Sequence, residues 1–216
     1  MFTLVRLIAE REGYLSSRTL PEFRYSALLN QRTDKVMTVG LAYGINCSRM
    51  MDSYSCRICG QIHSGVPLSW GPDAPDMWAE LPIDEQAARG ELGTDQAVID
   101  ASHFFIRGRL EIPVTDTSDL FAWLVWVEVS EDSFDNMSQL WTVAGREKTP
   151  PYDGQLSNRL ALYSEPTLGL KVKLHTRPVG ERPFVEVVGD HQLRYEQGNG
   201  ISAHRVQEIA NLLNRD

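Results

Sequence analysis

The chain has 216 residues, 42% hydrophobic and 23% charged, which suits a folded protein with a sizeable core and excludes a disordered composition. The formal net charge is −8, and residues 72–135 hold fifteen acidic side chains against three arginines, which argues against nucleic acid as the main partner. The chain has no apolar run of membrane-spanning length, no signal-peptide pattern and only three cysteines, which together predict a cytoplasmic protein without a membrane partner.

The first fifty residues differ from the rest of the chain in charge. They carry 7 Lys and Arg against 4 Asp and Glu, a net charge of +3, whereas residues 51–216 carry 14 against 25, a net charge of −11. Apolar periodicity is weak in this first part. We therefore predict a poorly ordered N-terminal extension over residues 1–50 and a single α+β domain over residues 51–216.

A metal-binding pattern stands at the start of the predicted domain, in the string CRICGQIH. Cys56 and Cys59 are three positions apart, and Gly60 allows a tight turn, so two thiolates can hold one tetrahedral ion that His63 also reaches. Zinc suits these ligand types. The prediction is a structural zinc knuckle, with zinc as the cofactor and His175 as the fourth ligand.

Other interpretations of the same cysteines stay open. Cys47, a water molecule or another histidine competes with His175 for the fourth position, and thiols without any ligand give the same pattern. A redox-active pair is the third alternative. It is disfavoured because a thioredoxin-type pair lies between a strand and a helix, whereas Gly60 and Pro67 indicate a loop.

The central part of the chain predicts a short helix and two adjacent strands. Pro82 begins a helix that runs to Arg89. Residues 103–112 alternate between an apolar face and a mostly polar face, with Gly108 marking a bulge or a close approach. Residues 121–129 are apolar on both faces and form a central strand, and the turn between the two strands makes them antiparallel neighbours.

The last part of the chain predicts further strands between two helices. Ser130 caps a helix with acidic residues in its first turn, and an amphipathic helix begins near Ser202. Three strands are predicted between them, at residues 156–163, 168–176 and 183–188. Strands and helices therefore segregate along the chain. The predicted fold is α+β, with an antiparallel sheet of about five strands, packing helices and the N-terminal Cys/His knuckle.

Polar side chains of one parity mark a candidate binding face on two predicted strands. His103, Arg107 and Arg109 share one face of the first strand, and Arg177 follows a strand in which Lys171, Lys173 and His175 share one face. Arginine binds carboxylates and phosphates in a bidentate manner, so this face is a candidate for an anionic small molecule or a protein carboxylate. Alternation in a half-exposed sheet predicts the same residues without a ligand.

Seven strings occur in an order that resembles a known family: CRICGQIH, VPLSWGPDAP, VIDASHFFIRGRLEIPV, FAWLVWVEVS, GREKTPPYDG, LHTRPVGERP and GISAHRVQEIANLL. The chain resembles the bacterial family catalogued as domain of unknown function 2199, over residues 54–214. The resemblance implies a bacterial protein and supports a domain that begins after the N-terminal extension. It implies no activity, substrate or cofactor.

Familiar catalytic motifs do not occur in the chain, which has no G-x-S-x-G, H-E-x-x-H or G-x-x-x-x-G-K-[ST] pattern. The prediction is a small binding or regulatory module with a structural zinc knuckle, more consistent with a non-enzyme than with an enzyme, and with an unidentified protein or anionic small molecule as its partner. The alternative is a metal-dependent hydrolase whose open zinc site keeps a water molecule beside His103 or His175.

Overall fold

The structure is a computed structural model, and it describes residues 43–44, 53–55, 60–63 and 65–213. The strands of this part are β1 (Tyr43–Gly44), β2 (Tyr54–Ser55), β3 (Ile62–His63), β4 (Ser69–Pro72), β5 (Gly90–Leu92), β6 (Gln96–Ile99), β7 (His103–Pro113), β8 (Leu120–Val129), β9 (Tyr152–Leu156), β10 (Lys171–His175) and β11 (Phe184–Val187). The helices are α1 (Asp76–Ala79), α2 (Ile83–Arg89), α3 (Glu131–Gln139), α4 (Gln192–Asn199) and α5 (Ala203–Leu213), with a 3₁₀ turn at Arg146–Lys148.

The hairpin of β7 and β8 is the centre of the fold. The two strands pair antiparallel in an unbroken register from Phe104 opposite Val129 to Pro113 opposite Leu120. This confirms the two long predicted strands and the turn between them. Gly108 lies in this register without a bulge, and a Cβ atom there would lie 2.3 Å from Cγ2 of Val185, so the glycine permits a close approach of β11.

Five strands close into a barrel because β7 and β8 each pair with a second strand of the ring along their outer edges. The ring runs β8-β9-β10-β11-β7 and returns to β8. Its pairings are antiparallel except that of β11 with β7, which is parallel and joins Phe184 to Arg109. The predicted α+β class is confirmed, and ring closure and the parallel pairing are additions to it.

Extra strands extend the sheet from the free parts of the same two edges. β4 pairs parallel with the beginning of β8 and antiparallel with β1. β6 pairs antiparallel with the beginning of β7 and carries β5 at its far edge. One half of each long strand therefore belongs to the barrel, and the other half pairs with a side extension of the sheet. The strands β2 and β3 form a separate antiparallel pair.

The barrel interior is apolar and closely packed. Every second side chain of β7 and β8 packs against side chains of the other barrel strands in one cluster. Each of the residues named below is at most 1% exposed, apart from Val187 at 3%. The cluster includes Ile106, Leu110, Ile112, Phe121, Trp123, Val125, Val127, Leu156, Val172, Leu174, Val185 and Val187. Burial of one leucine-sized side chain stabilises a fold by about 1.5–3 kcal/mol, so this interior is the main source of stability.

Two predicted helices cover the barrel through their apolar sides. Ser130 caps α3 by accepting a hydrogen bond from the backbone N–H of Ser133, as predicted, and Phe134 and Met137 of this helix are buried. α5 follows Ser202 and buries Val206 and Ile209 in the main core. Among the described residues, no helix has both the length and the apolar character that a membrane crossing requires.

Helix α4 was not predicted, because many of its contacts with the barrel are made by polar side chains and leave no apolar pattern in the sequence. Gln197 accepts a hydrogen bond from the N–H of Val187 at 2.8 Å and donates one to the carbonyl of Val185 at 2.7 Å. Glu196 accepts a hydrogen bond from the Tyr163 hydroxyl at 2.7 Å. Apolar periodicity is therefore nearly absent from this segment, and hydropathy patterns do not detect such a helix.

One strand lies earlier in the chain than predicted, and the six short strands β1 to β6 were not predicted. The strand expected at residues 156–163 is β9, Tyr152–Leu156, whose sequence YDGQL offers little apolar alternation. The strands β5 and β6 have three and four residues, which is too short for a reliable period.

Cys47, Cys56 and Cys59 lie outside the described residues, as does nearly all of the predicted extension, so the knuckle and the boundary at residue 50 stay predictions.

Candidate functional site

An ion-pair network on the outer face of the barrel joins two of the predicted binding residues. Arg177 donates two hydrogen bonds to the Glu111 carboxylate, with distances of 2.9 and 2.6 Å from its Nη1 and Nη2 atoms. Arg109 donates a third from Nε, at 2.7 Å. The strands β7 and β10 are not neighbours, because β11 lies between them. Arg177 reaches Glu111 from the loop that follows β10.

A cavity of about 350 Å³ opens beside this network, and we call it the arginine cavity. The loop of residues 176–183 between β10 and β11 forms one wall, and the outward-facing side chains of the hairpin form the other. Its lining residues are Arg109, Glu111, Leu124, Arg177, Gly180, Glu181 and Arg182. The volume is at the lower end of the range for small-molecule sites.

Two arginines of the arginine cavity have hydrogen-bonding capacity to spare. Arg109 bonds Glu111 through Nε, and Arg182 bonds Asp95 through Nε. Within the part of the chain that the structure describes, the terminal nitrogens Nη1 and Nη2 of both side chains have no hydrogen-bond partner. A guanidinium group offers five N–H donors, and those of its fork match a carboxylate or a phosphate.

A buried arginine holds the cavity loop through its backbone. Arg146 is 4% exposed and donates to the carbonyl oxygens of Arg177 at 2.7 Å, Pro178 at 3.2 Å and Glu181 at 2.7 Å. A fourth hydrogen bond, from Nη1, reaches the carbonyl of Trp141 at 2.7 Å, and the guanidinium carbon lies 5.1 Å from the centroid of the Trp141 ring. The positions of Arg177 and Arg182 therefore depend on Arg146.

Two threonines complete the attachment of the cavity loop. The Thr176 hydroxyl lies 2.6 Å from the carbonyl oxygen of Arg146, to which it donates. The hydroxyls of Thr149 and Thr176 lie 2.8 Å apart. Arg146 therefore donates from its side chain to the loop backbone, and the loop donates back to the Arg146 carbonyl through the Thr176 hydroxyl. These contacts restrict the loop at its first residue.

A second buried arginine lies one row along the same outer face. Arg107 is opposite Trp126 in the register of β7 and β8, and its guanidinium carbon is 5.7 Å from the indole centroid. Its Nη2 donates to the carbonyl of Pro72 at 3.0 Å and is 3.6 Å from the Asp73 carboxylate. Within the described part of the chain, its buried Nε–H and the indole N–H of Trp126 lack a partner. Arg107 is therefore close to the arginine cavity but does not line it.

The local environment changes the pKa of several of these groups. Burial opposes the ionisation of Glu111, but the hydrogen bonds from Arg177 and Arg109 outweigh it and lower the pKa of Glu111 below its ordinary value. The hydrogen bonds to Glu111 raise the pKa of Arg177. Burial lowers the pKa of Arg107 and of Arg146. The Glu111 carboxylate is therefore ionised at neutral pH and fixes the two arginines beside it.

The predicted histidines lie apart from the arginine cavity. His103 is in β7, with Nδ1 at 2.7 Å from the Glu128 carboxylate. His175 is in β10, with Nε2 at 2.6 Å from the Glu186 carboxylate. The described residues contain no group of three or more His, Cys, Asp or Glu side chains that could hold a metal ion. His175 as the fourth zinc ligand stays a prediction, since the cysteines lie outside these residues.

A larger groove of about 650 Å³ lies elsewhere on the barrel, between the end of β8 and the strands β9 and β10. Its charged lining residues are Glu128, Asp153 and Lys171. Glu128 pairs with His103, and the Asp153 side chain is 91% exposed. A solvated groove with these groups offers less directed hydrogen bonding than the arginine cavity, although it is larger.

Sequence reasoning found part of the arginine cavity and missed the rest. Arg109 and Arg177 were predicted, whereas Arg182, Glu181 and the buried Arg146 were not. The missed residues occur in two of the strings that carry the family resemblance, GREKTPPYDG and LHTRPVGERP, and a third string contains Arg109. A fourth string, FAWLVWVEVS, contains Leu124 of the lining, and the meeting of these four strings at and beside one cavity is visible only in the folded chain.

One comparison with known proteins assigns the chain to a family, and two others find no match. Neither the curated proteins nor the solved structures contain a match. The family model described as "Uncharacterized protein conserved in bacteria (DUF2199)" matches residues 55–201, which include the hairpin, the arginine cavity and Arg146. The match covers more than half of the 216 residues, and the chain therefore belongs to this family of uncharacterised bacterial proteins.

Proposed function

We propose that this protein is a small cytoplasmic binding module that holds an anionic small molecule in the arginine cavity. The observation that carries the proposal is the pair Arg109 and Arg182, whose terminal nitrogens lack partners in the described part of the chain although both residues line the cavity. Free N–H donors of a fixed guanidinium are a ready binding site for an oxyanion. The cytoplasm suits a chain with an odd number of cysteines.

Glu111 and Arg146 support the proposal because they fix the binding groups in advance. Arg109 is held by Glu111, Arg182 is held by Asp95, and the backbone that carries Arg182 is held by Arg146. Preorganised groups lose little conformational entropy when a ligand arrives. Motifs of known catalysis are absent from the sequence, so binding is a simpler role for this cavity than a reaction.

The test is a titration of the full-length protein with acetate, butyrate and inorganic phosphate at constant ionic strength, followed by NMR of the arginine side-chain Nε–H signals. Arg109 and Arg182 should shift together and saturate with at least one of these anions. The variant Arg109→Gln should weaken binding about tenfold or more, since a charge-assisted bidentate contact is lost. A matched control is Arg89→Gln, which removes an exposed arginine of α2. Equal loss in both variants, or no saturable shift, contradicts the proposal.

The zinc knuckle at Cys56, Cys59 and His63 is the second part of the proposal. The strand β2 ends just before Cys56 and pairs antiparallel with β3, the last two residues of the string, with Ser55 opposite Ile62. This pairing supports a reversal of the chain between Ser55 and Ile62, which would bring His63 back toward the start of the string. We propose a structural role for the zinc, with His175 as the candidate for the fourth ligand. A metal that binds only the folded chain adds its binding free energy to stability.

Metal analysis of the purified protein tests the knuckle. One zinc per chain is expected, and Cys56→Ser with Cys59→Ser should remove the metal and lower the melting temperature. Cys47→Ser should keep the metal if His175 supplies the fourth ligand, and loss of zinc in Cys47→Ser would assign that position to Cys47. A trace of zinc with unchanged melting of the double variant contradicts this part alone. The coordination number separates the module from a hydrolase, because four protein ligands close a structural site and three with a water leave it open.

A further inference from the structure

The charges that line the arginine cavity nearly cancel. Three arginines, Arg109, Arg177 and Arg182, contribute +3 and the carboxylates of Glu111 and Glu181 contribute −2, which leaves +1. Asp95 pairs with Arg182 from behind the lining and brings the sum to zero. Outside the lining, Arg107 is 3.6 Å from the Asp73 carboxylate and the charge of Arg146 is balanced by the nearby Glu147, so these neighbours add no net charge.

A near-neutral site with free donors favours an anion of low charge. A monoanion leaves the neighbourhood of the cavity at −1, whereas phosphate or a dicarboxylate brings it close to −2. The second charge then loses hydration in a site where Glu111 and Glu181 already balance the arginines, so no net positive charge compensates it. Sites for phosphate usually add backbone N–H groups of a helix N-terminus or a glycine-rich nest. The lining of the arginine cavity is made of side chains on strands and one loop instead.

The shape and the lining of the cavity agree with a small carboxylate. The two nitrogens at the end of a guanidinium match the two oxygens of a carboxylate in one plane. Among the described residues, Leu124 is the one apolar side chain of the lining, and the charged side chains around it leave only 2% of it exposed. Leu124 and the aliphatic stems of those side chains together form the apolar part of the wall that a short alkyl group can contact. A volume of about 350 Å³ restricts the ligand to a small molecule.

We propose that the arginine cavity selects a small monocarboxylate with a short alkyl chain over phosphate and over dicarboxylates. This inference rests on the proposed function, since it names the class of anion that the same cavity binds. Arg109 and Arg182 bind the carboxylate through their terminal nitrogens, and Leu124 contacts the alkyl chain. Glu111 and Glu181 disfavour a second negative charge on the ligand.

The experiment compares three probes, butyrate, succinate and inorganic phosphate, on the full-length protein at one ionic strength and a pH of about 7.5. Dissociation constants come from the Nε–H signals of Arg109 and Arg182. Butyrate should bind about tenfold more tightly than succinate or phosphate, because the additional charge loses hydration in a site that has no net positive charge to compensate it. Tighter binding of phosphate or succinate overturns the inference and leaves the proposed function standing. If none of the probes saturates, both fall.

A charge variant tests the cause of the selection. Glu181 lines the cavity with a side chain that is 57% exposed, and its side chain has only a loose ion pair with Arg177, at 3.9 Å. Its carbonyl, which Arg146 binds, is unaffected by a change of side chain. In Glu181→Gln the preference for butyrate over phosphate should shrink about fivefold, since the site gains one positive unit.

The control for this variant is Glu85→Gln, which removes an exposed carboxylate of α2. It changes the net charge of the protein by the same amount but leaves the lining intact, so the preference for butyrate should stay as in the wild type. An equal change in both variants would show that overall charge sets the preference, and an unchanged preference in Glu181→Gln would show that charge does not set it. Either result overturns the inference.

Discussion

Leu110 and Arg109 are neighbours in β7, yet their side chains belong to regions of opposite chemistry. Leu110 is fully buried in the barrel interior among apolar side chains. Arg109 lines the arginine cavity on the outer face and retains free N–H groups in the described part of the chain. Alternation along one strand therefore assigns stability to one face and the proposed recognition to the other. Substitutions that separate the two properties test this division.

The largest effect is expected from Leu110→Ala. A buried leucine replaced by alanine leaves a cavity in a packed core and costs about 2–5 kcal/mol in the free energy of unfolding. Arg109→Gln, one position away, should cost less than about 1 kcal/mol, because Glu111 keeps both hydrogen bonds from Arg177. Urea unfolding followed by circular dichroism measures both values. Similar losses in the two variants would contradict the division between the faces.

Arg146→Met should cost about 3 kcal/mol, and it should affect both properties. The variant keeps much of the apolar volume but removes hydrogen bonds to four carbonyl oxygens, three of them in the cavity loop. Binding of butyrate should therefore weaken together with stability. Unfolding curves and the NMR titration measure the two losses. Arg146→Lys keeps the charge without the fork and should restore only part of the stability.

Gly108→Ala should cost about 1–3 kcal/mol through steric strain on the inner side of the β7–β11 contact. Its new methyl group would lie 2.3 Å from the Val185 side chain and 3.3 Å from the Pro183 carbonyl oxygen. Gly198→Ala is the matched control, because a Cβ atom there meets nothing within 4 Å and a helix favours alanine. The double variant Gly108→Ala, Val185→Ala should recover part of the loss if the clash is its cause.

The smallest effect concerns acid stability. The folded pKa of Glu111 lies below its ordinary value of 4.5, so its contribution is fully present above pH 4.5 and is lost as the pH falls through the lower folded pKa. Glu111→Gln should cost about 1 kcal/mol near pH 7 and progressively less as the pH falls below 4.5. Stability curves of both proteins across this interval measure the difference, and parallel curves would exclude the role of Glu111.

The sequence predicted the elements with strong periodicity. The strand β7 alternates, the strand β8 is apolar on both faces, and the helix α5 repeats with helical spacing, each over ten or more residues, so hydropathy alone defines them. Closure of the barrel could not be predicted, because β9 has glycine at its centre and only Leu156 fully buried. Pairing of β11 with β7 depends on the absence of a side chain at Gly108, which is a tertiary effect.

The candidate site was predictable only in part, for a related reason. Arg109 and Arg177 follow from parity and from their position at a strand end. Arg182 lies in a loop without periodicity, and Arg146 is a buried cation, a placement that composition and hydropathy do not indicate. Both residues acquire their roles from carbonyl groups and carboxylates that lie thirty or more residues away in the chain.

The hydrogen bonds of Arg146 have a consequence for how this family can diversify. Every residue type supplies a carbonyl oxygen, so the anchor of the loop does not depend on which side chains the loop carries. The exposed Val179 can therefore change, and Glu181 can exchange its charge, while the backbone path stays the same. Substitutions in this loop can therefore alter the proposed ligand preference at little cost to folding.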